Sequence, residues 1–289
     1  MARAASSKAP RRRTPSRARP FAAAPGAYST LDVTVRNAVA IVVLNRPDVH
    51  NAFNATLIAE LTALLRALDQ AADVRAVVIA GAGASFCAGA DLNWMKQMAA
   101  FSPRQNLADA RALTAMLAAL YALSKPTLAR VHGAAFGGGA GLVACCDVAI
   151  GANDATFAFS EARLGLIPSA ISPYVVAAIG ARAARRYFLT AERFSAAEAY
   201  RLGLLHELAL PEELDTRISE LLGALLTAGP CAQAESKTLL RAIVNRPIDA
   251  QVVADTARRI ARVRASPEGK EGVAAFLAKR RAAWVPRGD

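Results

Sequence analysis

The chain has 289 residues, of which 54% are hydrophobic and 20% charged. That length suits one large domain with an appendage, and that apolar share excludes a wholly disordered chain. The net charge of +12 is lopsided: Arg3, Lys8, Arg11, Arg12, Arg13, Arg17 and Arg19 crowd into the first 25 residues, where there is no acid. Four cysteines, Cys87, Cys145, Cys146 and Cys231, form no CxxC pair and no Cys/His spacing of a metal site. They point to a reducing compartment without a disulfide framework.

In chain order, residues 1–27 read as a basic disordered arm, rich in Ala, Pro, Ser and Arg and lacking the apolar stretch of a signal peptide. Such an arm is a dispensable extension, an organelle transit peptide, or a non-specific phosphate contact for nucleic acid. A core domain over 28–227 and a helical region over 228–289 follow. Leu31–Arg36 and Val39–Leu44 read as paired strands around Asn37 and Ala38. Asn54 reads as the N-cap of a helix that carries Leu57, Leu61, Leu64, Leu65 and Leu68 at helical spacing. Arg75–Ala80 and Pro126–Val131 read as buried strands, with a helix over Pro103–Leu123 between them. Val148–Ala152 and Thr156–Phe159 are two further short strands. The uncharged run Leu164–Ala181 approaches a membrane span in length, but Pro168, Pro173, Gly165 and Gly180 make it a poor one. It reads instead as a buried strand end and loop. Helices are predicted over Ala183–Thr190, Ala196–Leu202, Pro211–Thr227, Pro230–Val244, Ala250–Ala265 and Glu268–Trp284. Strands first and helices last give an α/β core with a helical C-terminal region.

Three segments carry chemistry. In SFCAGADL (85–92), small residues after a buried strand let a ligand approach the backbone closely; an ordinary strand-to-helix turn has the same look. In HGAAFGGGAGL (132–142), Gly137, Gly138 and Gly139 lie between a strand and an apolar helix, whose first amides are free to hold a negative oxygen. Close glycine packing is the competing explanation. The spacing is neither a dinucleotide fingerprint nor a nucleotide P-loop. In FAFSEARLGLIP (157–168), Glu161 stands among apolar residues, where a carboxylate is either paired, with Arg163 the nearest base, or functional. His50, His132 and His206 are scattered and read as structural.

Together with LNRPDVHNAFN (44–54) and RFSAAEAYRLGLLHEL (193–208), these segments resemble the crotonase (enoyl-CoA hydratase/isomerase) superfamily over residues 30–285. In wording, CAGADLNWMK and SEARLGLIPSAISPYV are most similar to hydratases acting on 3-methylglutaconyl-CoA in leucine breakdown. The resemblance implies a crotonase-like spiral of ββα units and an acyl-CoA thioester substrate. It implies trimers, often paired into hexamers, and no cofactor beyond the coenzyme A that the substrate carries. No metal site, no membrane partner and a cytoplasmic location are expected, or an organelle matrix where the arm is a transit peptide. By motif, the amides of Ala90 and Gly138 hold the enolate oxygen and Glu161 is the acid/base. Ala88, Asp91, Leu92, Trp94, Gly137, Gly141 and Pro168 line the acyl site. Arg46, Phe53, Phe276 and Lys279 are candidates for coenzyme A, with Arg280 and Trp284 beside them.

One departure matters. Two-carboxylate hydratases of this family place a second glutamate where this chain has Gly141. Asn93, Ser172, Tyr174 or a carboxylate of the substrate are candidates to orient the water instead. A double-bond isomerase with one glutamate is the alternative enzyme, and a CoA-ester or nucleic-acid binding protein without turnover is the alternative class.

Overall fold

The computed structural model describes residues 19–20, as a short strand β1 (Arg19–Pro20), and residues 28–286. The expected disordered arm otherwise lies outside the described residues. Asn37 and Ala38 both take positive φ, 50° and 62°, and close a two-residue hairpin between β2 (Leu31–Arg36) and β3 (Val39–Leu44). That turn geometry matches the right-handed twist of the strands it joins. The Asn54 side chain accepts from the Leu57 amide at 2.8 Å and starts α1 (Ala55–Gln70). All five leucines of the predicted stripe are buried.

The chain continues through β4 (Ala76–Gly81), α2 (Leu92–Met98), α3 (Pro103–Ala122), β5 (Thr127–Val131), β6 (Ala134–Phe136) and α4 (Gly138–Cys145). Next come β7 (Val148–Ala152), β8 (Thr156–Ala158), a 3-10 turn at Ser160–Leu164, and α5 (Ser172–Thr190). Then follow β9 (Arg193–Ser195), α6 (Ala196–Leu202), β10 (Glu207–Ala209) and the helices α7 (Leu214–Thr227), α8 (Pro230–Ile243), α9 (Ala250–Ala265) and α10 (Pro267–Leu277). The large sheet runs β1-β2-β3-β4-β5-β7-β10, parallel from β3 onward; a small sheet runs β6-β8-β9. Alternation along β4 sorts its side chains: Val77 and Ile79 join the cluster beneath α1, α3 and α4, while Ala76 and Val78 face Leu214 and Ile218 of α7.

Two extents differ from the sequence reading. The run 164–181 is not a buried strand end: Leu164, Leu166 and Ile167 are 56%, 53% and 76% exposed, and α5 already begins at Ser172. Pro173 is compatible with that start because the first turn needs no donor from it. Gly180, at φ 74°, then interrupts the helix. The last helix ends at Leu277, short of Trp284, where Lys279 takes φ 51°. The C-terminal segment is tied back to the core by side chains. Arg75 donates to the carbonyls of Ala228 (2.7 Å) and Trp284 (3.1 Å). Lys237 meets Asp147 at 2.6 Å.

Candidate active site

The backbone between β4 and α2 is fixed from both sides. The Cys87 amide donates to Ala134 O at 3.0 Å and the Phe136 amide to Cys87 O at 2.9 Å. On the other side the Phe53 amide donates to Gly89 O (2.6 Å) and the Asp91 amide to Phe53 O (2.9 Å). In this parallel bridge between Phe53 and Ala90, the residues on either side of Ala90 supply both bonds. The Ala90 N–H is left pointing away from residue 53, and it donates to no acceptor among the described residues. Gly138 is the first residue of α4, so its N–H has no intrahelical acceptor either, nor any other described one. Gly137 before it has φ 49° and ψ −118°, a conformation that needs glycine, and its own amide is taken by Ala158 O at 2.8 Å. Ala90 and Gly138 thus each present to the site a donor that is unengaged among the described residues.

Glu161 lies on the 3-10 turn beside Gly137: a methyl group added there would stand 3.2 Å from Glu161 Oε1. Its Oε2 is sealed from solvent and has no hydrogen-bond partner among the described residues. Burial pushes its pKa up, its own backbone amide pulling the other way. Among the described residues no ion pair joins Arg163 to it, so the structural pairing that the sequence left open does not form. An unpaired, desolvated carboxyl in a cavity is suited to carrying a proton.

The Gly141 position is not an empty slot. A Cβ there would meet Ile171 Cγ2 at 2.2 Å and Ile171 Cβ at 2.9 Å. The buried Ile171 fills the space beside the glycine and itself lines the cavity.

That cavity measures about 440 Å³. Of the predicted residues, Phe53, Ala88, Ala90, Leu92, Trp94, Gly137, Gly138, Glu161 and Pro168 line it. Asp91 does not. Its Oδ1 caps α2 through the Asn93 amide (2.7 Å), and its Oδ2 accepts from Arg46 Nη2 at 2.7 Å. Burial pushes the Asp91 pKa up, but the Arg46 hydrogen bond and the helix amides outweigh it and bring the value below the ordinary one. Arg46 correspondingly donates from Nη1 to the Ala52 carbonyl and from Nη2 to Asp91. Phe276 belongs to a second cavity, with Asn37, Thr227 and Arg280, while Lys279 lines neither. Trp284 anchors the C-terminal segment, its Nε1 donating to Thr227 O at 3.0 Å. Of the coenzyme A candidates, Phe53 alone lines the acyl cavity within one chain; Arg46, Phe276, Lys279, Arg280 and Trp284 do not. Asn93, Ser172 and Tyr174 are absent from the lining too.

The sequence reading missed Asp109, Leu113, Thr114 and Ile171, all of which line the cavity. Asp109 accepts from Trp94 Nε1 at 3.1 Å, and burial raises its pKa against that bond. Nothing in the local pattern of α3 marks it, since the pairing joins two helices. The histidines have structural contacts: His50 with Ser85 Oγ (3.1 Å), His132 with Gly83 O (2.8 Å) and His206 with the Ala149 amide (3.1 Å).

The family model described as enoyl-CoA hydratase/isomerase matches residues 34–287. A crotonyl-CoA hydratase of Syntrophomonas wolfei is 30% identical over 263 residues, covering 90% of this chain and all of that protein. Among solved structures, an enoyl-CoA hydratase from Shewanella pealeana is 43% identical with a TM-score of 0.87, covering 89% of this chain and 96% of that one. Pseudomonas aeruginosa AtuE is 38% identical with a TM-score of 0.85, covering 89% of this chain and all of that one. The likeness runs through the whole body of the fold, including both segments whose amides are free, and the chain belongs to the enoyl-CoA hydratase/isomerase family.

Proposed function

We propose that this enzyme adds water across the double bond of an α,β-unsaturated acyl-CoA. The observation that carries this reading is the meeting of two unengaged amides, Ala90 and Gly138, with the unpartnered Glu161 carboxyl in one cavity. The amides hold the thioester oxygen. Ionised Glu161 takes a proton from water as the hydroxyl oxygen bonds to C3, and the electron pair of the double bond moves to give an enolate on the thioester carbonyl oxygen. Glu161 then returns the proton to C2, so its charge is restored and water has been added. Each amide donor is worth about 2.7–4 kcal/mol of barrier, and the positioned carboxyl about 10²–10⁴-fold in rate.

The wording of CAGADLNWMK and SEARLGLIPSAISPYV favours 3-methylglutaconyl-CoA of leucine breakdown as the substrate. Coenzyme A arrives with the substrate and no further cofactor is needed. Phe276 and Lys279 then serve a neighbouring copy's site, which fits trimers or hexamers; the exposed Leu240, Val244, Ile248 and Phe276 support such association. No described helix is long and apolar enough to cross a membrane. We place the reaction in the cytoplasm, or in an organelle matrix where the basic arm acts as a transit peptide.

One observation favours a second reading. With Ile171 against Gly141 no second glutamate stands at that position, and a double-bond isomerase can work with Glu161 alone. Following the conjugated thioester absorbance on crotonyl-CoA, 3-methylglutaconyl-CoA and a 3-enoyl-CoA separates the two. Glu161-dependent loss of absorbance, fastest on the branched dicarboxylic ester, establishes the hydratase. A gain of absorbance from the 3-enoyl ester without hydration establishes the isomerase and refutes the first reading.

A further inference from the structure

Arg46 precedes the turn that leads to Phe53, and its guanidinium spans the parallel bridge between Phe53 and Ala90. Nη1 donates to the carbonyl of Ala52, the residue before Phe53, and Nη2 to the carboxylate of Asp91, the residue after Ala90, at 2.7 Å. Asp91 is 5% exposed. Its two oxygens do separate work, one capping α2 and one receiving Arg46. Asn51, fully buried, anchors the same turn: its Oδ1 accepts from the Arg46 amide at 2.9 Å and its Nδ2 donates to the carbonyls of Ala82 and Ser85, both at 2.8 Å.

We infer that Arg46 is a positioning residue for the oxyanion site: it staples residue 52 to residue 91 across the bridge and so fixes the direction of the Ala90 N–H. This rests on the proposal that Ala90 and Gly138 hold the thioester oxygen. A hydrogen-bond donor stabilises developing charge only where it is aimed before the charge appears. The Ala90 amide has no partner among the described residues to hold it, so its aim comes from the bonds on either side. A two-handed fork is what the task requires. Lysine offers a single point charge and cannot bond Ala52 O and Asp91 Oδ2 in the same planar arrangement.

The test compares wild type with Arg46→Met, Arg46→Lys and Asp91→Asn. Asparagine keeps the capping oxygen but turns an amide toward Arg46, so it removes the staple and leaves the helix start intact. Three quantities are read: kcat on crotonyl-CoA, the dissociation constant of unreactive butyryl-CoA, and the carbonyl stretching frequency of the bound thioester. Expected is a fall in kcat of about 10- to 100-fold in Arg46→Met and Asp91→Asn, with a smaller fall in Arg46→Lys. The carbonyl band moves back toward its position in free thioester, while butyryl-CoA affinity stays within about threefold. The Arg46→Met/Asp91→Asn double variant is no slower than either single one, because both remove the same contact. Weaker butyryl-CoA binding at unchanged kcat would overturn the proposal and make Arg46 a coenzyme A ligand. A band displaced equally in wild type and variants would overturn it by showing that the amide keeps its aim without the staple. A wild-type band that is not displaced at all removes the two-amide reading beneath it, a separate failure visible before any variant is made. Arg46→Lys and Asp91→Asn, the milder changes, carry the test if Arg46→Met does not fold.

Discussion

The two walls of the cavity are built in opposite ways. On the amide wall, residues 51–54 and 87–91 are bound by backbone bonds on both edges, by the buried Asn51 and by the Arg46–Asp91 pair. On the facing wall, residues 160–171 make one 3-10 turn and a loop; Leu164, Leu166 and Ile167 are more than half exposed, and the Glu161 carboxyl has no partner at Oε2 among the described residues. The contrast follows the chemistry. A donor that stabilises charge must already be in place, whereas a proton carrier must be free to change its bonds during the reaction.

The sharpest way to break this comparison is at the proton carrier. Glu161→Gln should lower turnover by about 10²–10⁴-fold while butyryl-CoA binding survives, since no binding contact of the carboxyl is lost. The same variant reports on stability. Burial raises the Glu161 pKa in the folded state, so folding favours the protonated form. Its contribution is fully present below the unfolded-state value and is lost as pH rises through the folded one. Glu161→Gln should therefore melt higher than wild type at pH 8, and the difference should vanish near pH 4. In wild type, kcat/KM should rise with pH through the same interval as the base ionises. A melting difference that is independent of pH would show that the carboxyl is not desolvated.

The amide wall should respond to shape, because no side-chain change except proline deletes an N–H. At Gly138 an added Cβ would stand 2.5 Å from Phe53 Cε2, and Phe53 is buried. Gly138→Ala should displace either the ring or the amide, and kcat should fall by about 10–10²-fold. Unchanged kcat would mean that the wall is looser than its bonding implies.

The amide wall was also the more legible from sequence. Small residues at 88–90 and three consecutive glycines at a helix start state their purpose locally, and Asn54, Asn37 and the leucine stripe of α1 fall where the pattern places them. What remained hidden depends on contacts between segments far apart in the chain. Arg46 and Asp91, 45 residues apart, satisfy each other, which no spacing rule reveals. Asp109 reaches the cavity only because α2 and α3 pack with Trp94 between them. The facing wall was misread because an uncharged run looks buried, while here its apolar side chains face an open cavity.

Gly141 tests whether the missing glutamate is an absence or a replacement. Gly141→Glu should give no gain in hydration and should destabilise the fold by about 1–3 kcal/mol, read as a lower denaturation midpoint, because Ile171 occupies the space that the new side chain needs. Gly141→Glu with Ile171→Ala should recover part of that loss. Recovery of stability together with a faster hydration rate would show that the single-carboxyl arrangement is a matter of packing.

The smallest effect belongs to the exposed rim. Ile167 is 76% exposed yet lines the cavity, so it contributes little to the fold. Ile167→Ser should leave the melting temperature within the shift expected for about 0.5 kcal/mol. It should still raise KM for longer acyl chains several-fold relative to crotonyl-CoA, because each buried methylene of a substrate is worth about 0.8 kcal/mol and this wall supplies the apolar surface for it. A change in kcat without a change in chain-length preference would place Ile167 with the machinery that turns the proton carrier, and the division between a fixed wall and a free one would have to be drawn elsewhere.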